Sequence, residues 1–508
     1  MNATESAALE AAECPGFRWG PFTLRVPFLH TRAEWPELLQ GVFVAGATGL
    51  GLVPLLTLPE YGFLLSFEEA VACIFIQSLL ISSAPIIFGE PYAPGWVTPA
   101  LPLALAYVLS AKEGVPLYGT PVEKFQAMTA VTINLAVILL FLGMTGLGGR
   151  FIRWIPDALK AGIIMGAAIA ALKRVFLDDA DRFLYEQPVS TIVAVGVCLV
   201  LTFSAPIQKH KRQFRWLAVV AGLGLLPGFL AAAAVGPFVP KYILVSPPPA
   251  ASAEGGGESA SAHAAPPEAE SAEASAAGRP MEIEYNIKGG FLLPPFGKLF
   301  EKVSPFHIGW PTWKMFFDTF PLALMGYVIL FGDLITGNEV LGAATAARPD
   351  EKIRTDASRT HFSLCIRNVL MALFAPFFPT QGCLWTGVHV IIVQRWTEGR
   401  QAMHSLYSGI SSYYVFGVPV LYMVLPLLYG LRPLMGIALS LTLVLTGFAC
   451  AYVAMGIPKT QIERGVVILM AVALAIFPNP WIGMTVGIFA TLSLVGFQWP
   501  PRKTALEE

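Results

Sequence analysis

"PYAPGWVTPALPL" occupies residues 91–103 and "PTQGCLWTGVHVI" occupies residues 379–391. Both run Pro, Gly, Trp, Thr into a short apolar segment. Pro94 and Pro99 cannot donate backbone hydrogen bonds, and Gly95 permits dihedrals closed to other residues. Such a stretch is expected to enter a membrane extended and to become helical only partway across. Irregular backbone at that depth is tolerated only inside protein or beside a cavity. The pair therefore predicts two discontinuous helices, the third and tenth spans, whose N-termini meet near the midplane. Each N-terminus carries roughly +0.5 charge and free N–H groups, so together they favour an anion or an electron-rich ligand. An ordinary proline-kinked helix is the plainer alternative.

The rest of the chain sets the context. It has 508 residues, 55% hydrophobic and 13% charged, with a mean hydropathy of +0.62. Soluble domains are about one quarter charged. The fold class expected is an all-α polytopic membrane protein, with the lipid bilayer as its main partner and no nucleic acid. The net charge of −1 says nothing about partners, because charge is sorted by side of the membrane. The six cysteines are scattered and form no CxxC pair, so they read as small core residues. The first 35 residues lack the features of a signal peptide and read as a polar tail.

Fourteen apolar segments are long enough to count as spans: 37–57, 66–87, 94–110, 123–145, 152–174, 189–206, 215–236, 316–343, 361–378, 380–394, 405–429, 432–455, 463–478 and 480–497. With a cytoplasmic N-terminus, every basic cluster falls inside, from Arg150 and "QKHKRQFR" (208–215) to Arg502 and Lys503. Residues 246–280 hold no aromatic or branched aliphatic side chain and cannot bury enough surface to fold. The expected organisation is a cytoplasmic tail (1–35), a first seven-span repeat (36–237), an extracytoplasmic linker (238–314), a second seven-span repeat (315–497) and a cytoplasmic tail (498–508). An odd number of spans per half inverts one repeat relative to the other, the plan of many secondary transporters. "IPDALKAGIIMGAAIAAL" in span five and "LRPLMGIALSLTLVL" in span twelve add a second matched pair.

At this point the chain resembles the superfamily of uracil/xanthine permeases, ascorbate transporters and sulfate permeases, over roughly residues 36–497. The resemblance rests on "APGWVTP", "RWIPDALKAGIIMGAAIA", "FGDLITGNE" and "PTQGCLWTG", in that order. It implies a core of spans 1–4 and 8–11 and a gate of spans 5–7 and 12–14. It also implies elevator-like movement, a small-solute site between half-helices three and ten, and, in many members, a homodimer. The location expected is a bacterial inner (plasma) membrane. Three features depart from the pattern. Span ten opens with "GCLWTG" and no carboxylate, where nucleobase permeases carry Glu or Gln followed by Asn. Residues 498–508 follow span fourteen, where sulfate permeases usually carry a STAS domain. The linker is long.

Asp333 lies in the middle of span eight, and an ionisable residue there is costly and normally functional. At 100° per residue it shares a face with Thr336, Gly337 and Val340. Glu339 sits about 120° away and about 9 Å further along the axis, so both acids cannot serve one small site. The resemblance implies a solute- or cation-binding carboxylate at this point, so Asp333 is expected to bind solute or a coupling ion, with Thr336 adding a hydroxyl; a structural Asp satisfied by neighbouring N–H groups is the plainer alternative. Na+ would take such oxygen ligands, and a coupling H+ could reside on Asp333 instead. Glu339 reads as structural or part of an inner gate. The lead-in to span three contributes Gly95, Trp96, Val97 and Thr98. The lead-in to span ten contributes Thr380, Gln381, Gly382, Trp385 and Thr386. His389 reads more often as a packing histidine than as a titrating one. Arg367 reads as snorkelling to the cytoplasmic face, with an anion contact as the rarer outcome. Gln77 reads as a helix–helix hydrogen bond.

The function expected is a secondary-active permease for a nucleobase-like solute, with no cofactor beyond coupling Na+ or H+. Sulfate, bicarbonate or a carboxylate is the runner-up, and a channel comes third. "LDDAD" (177–181) is the nearest approach to an enzyme motif and reads as a solvated loop.

Overall fold

The computed structural model describes residues 13–42, 49–112, 115–148, 155–178, 187–211, 214, 216–217, 220, 226–236, 290–377, 380–415, 421–426, 428, 435–477 and 479–496. The sparse-composition segment 246–280, residues 212, 213 and 215 of "QKHKRQFR" and the "LDDAD" stretch beyond Asp178 lie outside these residues. The described chain is helical, with two short β-hairpins, Phe17–Trp19 with Phe22–Leu24 and Ala111–Lys112 with Val115–Pro116.

Local chemistry sets several helix starts. Ser66 with Glu69, Thr120 with Glu123 and Thr460 with Glu463 each form a reciprocal capping box. They open the helices Phe67–Ile86, Pro121–Thr145 and Gln461–Ile476. Thr312 caps the 33-residue helix Trp313–Thr345. Among the described residues, Phe67–Ile86, Pro121–Thr145 and Trp313–Leu334 are long and apolar enough to cross a membrane. Their outward faces keep Leu79, Val137, Phe141 and Phe317 exposed, as a lipid-facing surface requires.

Two sets of helices pack mainly within themselves. In one, Pro121–Thr145 lies against Trp313–Thr345 and Ala357–Phe374, with Phe67–Ile86 and Leu406–Val415 beside them. In the other, Asp157–Lys173 lies against Met435–Gly456 and Gln461–Ile476, with Pro188–Phe203 and Leu226–Val235 alongside. One large buried apolar cluster runs through both sets.

Two expectations need correction. The supposed polar tail packs tightly from residue 13 onward. Arg25 is buried, its guanidinium lies 3.8 Å over the Tyr407 ring, and it donates to the Gly89 carbonyl. The Arg32 and Glu34 amides donate to Ser408 Oγ and Ser412 Oγ. Buried Glu37 takes two hydrogen bonds from Arg395. Of the charges that marked this segment as polar, Arg25 and Glu34 are used internally, and so is Glu37 just after it. Span nine also begins earlier than its apolar run. Asp356 Oδ1 caps the Arg359 amide, so the helix runs Ala357–Phe374 and Arg367 sits about three turns in, too deep to snorkel. Pro376 then prevents its continuation.

Candidate functional site

The helix Phe67–Ile86 ends and Gly89, at φ +69°, turns the chain sharply. The chain then runs through Pro91–Val97 without helix, makes one tight turn at Thr98–Ala100 and becomes helical over Leu101–Val108. After Pro376 the second stretch likewise passes Thr380–Trp385 without helix before the helix Thr386–Thr397. The two stretches pair antiparallel, Trp96 opposite Gln381. The Val97 amide donates to the Thr380 carbonyl at 2.9 Å. The Gly382 amide donates to Gly95 and the Trp385 amide to Ala93, each at 2.7 Å. Main chain thus satisfies main chain where neither segment is helical.

Glycine makes this approach possible. A Cβ on Gly95 would stand 2.9 Å from Trp385 Cβ, and one on Gly382 would stand 2.9 Å from the Gly95 carbonyl oxygen.

Side chains from three more helices grip the crossing. From Ala357–Phe374, Asn368 Oδ1 accepts the Gln381 amide at 3.1 Å while Nδ2 donates to the Gln381 carbonyl at 3.2 Å. One turn of the same helix presents Arg367, fully buried, with Nη2 donating to the Gly382 carbonyl at 3.2 Å. Its Nε and Nη1 have no hydrogen-bond partner among the described residues. Arg367 thus lies inside the protein against the lead-in to span ten, not at a surface. Three buried guanidinium groups, Arg25, Arg359 and Arg367, surround the segment that begins at buried Glu90. Glu90 takes a hydrogen bond from Thr360 Oγ1 at 2.7 Å and lies 3.4 Å from Arg359 Nε.

From Trp313–Thr345, the Leu330 carbonyl accepts the Cys383 thiol at 3.3 Å, Gly337 lies beneath Tyr92 and Leu384, and Asn338 accepts the Tyr92 hydroxyl at 2.6 Å. Asp333 is half-buried one turn from both Leu330 and Gly337. Its helix also touches Asp157–Lys173 of the second helix set. That helix therefore meets the crossing through Leu330 and the second helix set through Asp157–Lys173. From Leu406–Val415, the Tyr414 hydroxyl donates to the Pro94 carbonyl, and Tyr413 meets Trp385 edge-on at 6.4 Å.

Gly95, Trp96, Val97, Thr380, Gln381, Gly382 and Trp385 therefore come together. His389 joins them from the first turn of its helix, with Nδ1 accepting the Ala93 amide at 3.2 Å. Thr98 turns its hydroxyl back to the Trp96 carbonyl. The side chains of Thr336, Glu339 and Thr386 lie outside the described residues. Glu90, Tyr92 and Asn368 join the site without having been expected there, and Gln77 reaches further into it than a plain helix–helix contact would. The available signals were lone polar residues in apolar runs, as in "VACIFIQSLL" and "CIRNVL". Among the described residues, no group of His, Cys, Asp or Glu is arranged to hold a metal ion.

No protein-family model matches the chain. No curated protein matches it either. Among solved structures it is similar to murine Solute Carrier 26 family member A9, an anion transporter, in the inward-facing state. That likeness has 12% identity and a TM-score of 0.47, over 92% of this chain and 69% of the other. A second SLC26A9 structure gives 14% identity and a TM-score of 0.47, over 91% of this chain and 65% of the other. The transmembrane domain of a cyanobacterium bicarbonate transporter, BicA, gives 12% identity and a TM-score of 0.43, over 89% of this chain and 97% of the other.

Proposed function

We propose that the chain is a secondary-active membrane permease for a small anion, and that the crossing of residues 91–97 with 380–385 is its solute site. The observation that carries this reading is Arg367. A buried guanidinium with two nitrogens, Nε and Nη1, lacking a hydrogen-bond partner among the described residues is costly, and here it lies against the backbone of the crossing. The helix Thr386–Thr397 adds its positive end to the same point. Glu90 is matched by Arg359, so Arg367 contributes the surplus positive charge. Thr380, Trp96 and Trp385 would frame the solute, and Asp333 with Thr336 would carry the coupling ion, H+ or Na+.

The wider scheme belongs to the same proposal. Fourteen spans in two inverted repeats would place spans three and ten as half-helices meeting in the bilayer. The first helix set would serve as the moving core and the second as the gate, in an elevator cycle within a homodimer. The chain would then stand as an unassigned branch of the superfamily it resembles. A nucleobase-like solute is the second reading. It is favoured by Gln381, whose buried Oε1 has no hydrogen-bond partner among the described residues and which could accept a ring N–H.

Counterflow in proteoliposomes tests the choice. Purified protein should exchange labelled sulfate or bicarbonate saturably and leave uracil outside. Uracil exchange without anion exchange supports the second reading, and unsaturable flux of either solute rejects a carrier.

A further inference from the structure

Gln77 lies within the helix Phe67–Ile86 and is fully buried. Its Nε2 donates to the Ala375 carbonyl at 3.0 Å and to the Phe377 carbonyl at 3.1 Å. Its Oε1 accepts from Trp96 Nε1 at 3.0 Å. Its own main-chain carbonyl accepts from Gln381 Nε2 at 3.2 Å. Trp96 and Gln381 are the two residues that face each other in the crossing. One residue of a third helix therefore reaches both members of the pair.

We infer that Gln77 is a positioning residue that holds the two crossing stretches in register, an inference that rests on the permease reading of the crossing. A glutamine that merely packs between helices is satisfied by a partner on one neighbour. Gln77 uses both amide donors, an amide acceptor and its carbonyl, and divides them between the two stretches, Ala375, Phe377 and Gln381 on one and Trp96 on the other. Ala375 and Phe377 flank Pro376, where the chain leaves its helix and turns toward Thr380. The break deprives carbonyls there of helical donors, and the Gln77 amide replaces two of them. That fixes where the lead-in to span ten starts. The Trp96 bond fixes the ring that extends from the lead-in to span three. No other side chain type supplies two donors and an acceptor at that reach without carrying a full charge into the site.

The test reads the two stretches without any solute. Cys383 stands between Gly382 and Leu384 in the lead-in to span ten and is 3% exposed. Cys73 is buried one turn before Gln77 on the same helix. The full chain is treated with a maleimide, and labelling is resolved peptide by peptide. Gln77→Leu removes all three side-chain bonds. Gln77→Glu, protonated in that buried site, keeps the Trp96 acceptor and one donor. Cys383 labelling should rise about tenfold in Gln77→Leu as the crossing opens locally and reach an intermediate value in Gln77→Glu. Cys73 should stay protected in both. If Cys383 is unmoved, or if Cys383 and Cys73 rise together, Gln77 is only a packing residue and the inference fails. Where Gln77→Leu does not fold, Gln77→Glu decides alone by the same comparison. Because no solute enters the measurement, a failed anion-exchange assay leaves this result readable, and the converse also holds.

Discussion

The Gly382 amide donates to the Gly95 carbonyl at 2.7 Å, and a methyl group on Gly382 would press on that same oxygen at 2.9 Å. Two stretches far apart in the chain therefore meet backbone to backbone, with no space for a side chain between them. Backbone cannot swing aside as a flexible side chain can. The two glycines are present because the contact demands their absence of Cβ.

Gly382→Ala should therefore cost about 1–3 kcal/mol, the usual range for overpacking. It should appear as a lower Tm in detergent and a loss of solute exchange. Gly465→Ala is the control, since an added Cβ there meets nothing within 4 Å and alanine favours the helix. If Gly382→Ala keeps the Tm and exchange of the Gly465→Ala protein, the close crossing is wrong.

Arg367→Lys should raise the half-saturation concentration for a transported anion at least about tenfold, as loss of a forked donor to an anion commonly does. The protein should still fold, because a lysine amine can reach toward the Gly382 carbonyl that Arg367 Nη2 now serves. Concentration-dependent exchange measures this. Unchanged half-saturation for every anion tried would remove Arg367 from the solute site and, with it, the case for an anion.

Part of this fold is legible in the sequence and part is not. The all-helical membrane class follows from composition and hydropathy, which act locally along the chain. The stretches around Gly95 and Gly382 stand out because Pro and Gly punctuate a chain wherever they occur. Their atom-by-atom pairing does not, since it depends on residues far apart in sequence. Arg367 is deceptive because the apolar run suggests a helix start near 361, whereas the Asp356 cap starts it at Ala357. Residues 13–34 are deceptive because their charges look solvated, and nothing local tells that Arg25 will lie against Tyr407. Gln77 stands out as one lone amide, but its partners come from distant segments.

Asp350 carries a pH dependence outside the spans. Arg348 donates from Nε and Nη2 to its two carboxylate oxygens, at 2.8 and 3.0 Å. Those bonds hold its carboxyl below the usual range. A depressed carboxylate stabilises the fold above its unfolded value, near about 4, and loses that contribution as pH falls through the lower folded value. Asp350→Asn should lower Tm at about pH 7, and the gap to the native chain should close below about pH 4. The effect should be modest, because Asp350 is partly exposed. Melting curves of both proteins across that range measure it, and a gap of constant size at every pH would show that charge is not the cause.

Asp333→Asn bears most directly on coupling. The residue stands half-buried on Trp313–Thr345, one turn from the carbonyl that receives Cys383 and one turn from the glycine beneath Tyr92. The same helix meets the crossing at Cys383 on one side and Asp157–Lys173 of the second helix set on the other. A carboxylate in that place changes its electrostatic surroundings whenever the two sets move relative to each other. Binding H+ or Na+ would then bias the motion, as coupling requires a ligand that prefers one state. Asparagine keeps the shape and removes the charge, so the fold should survive with a Tm near that of the native chain. Solute exchange at equal ion concentration on both sides should persist, while uptake driven by an H+ or Na+ gradient should disappear. The two measurements separate binding from coupling. Gradient-driven uptake that survives in Asp333→Asn at the native rate would move the coupling site elsewhere, and loss of exchange as well would make Asp333 a solute contact instead.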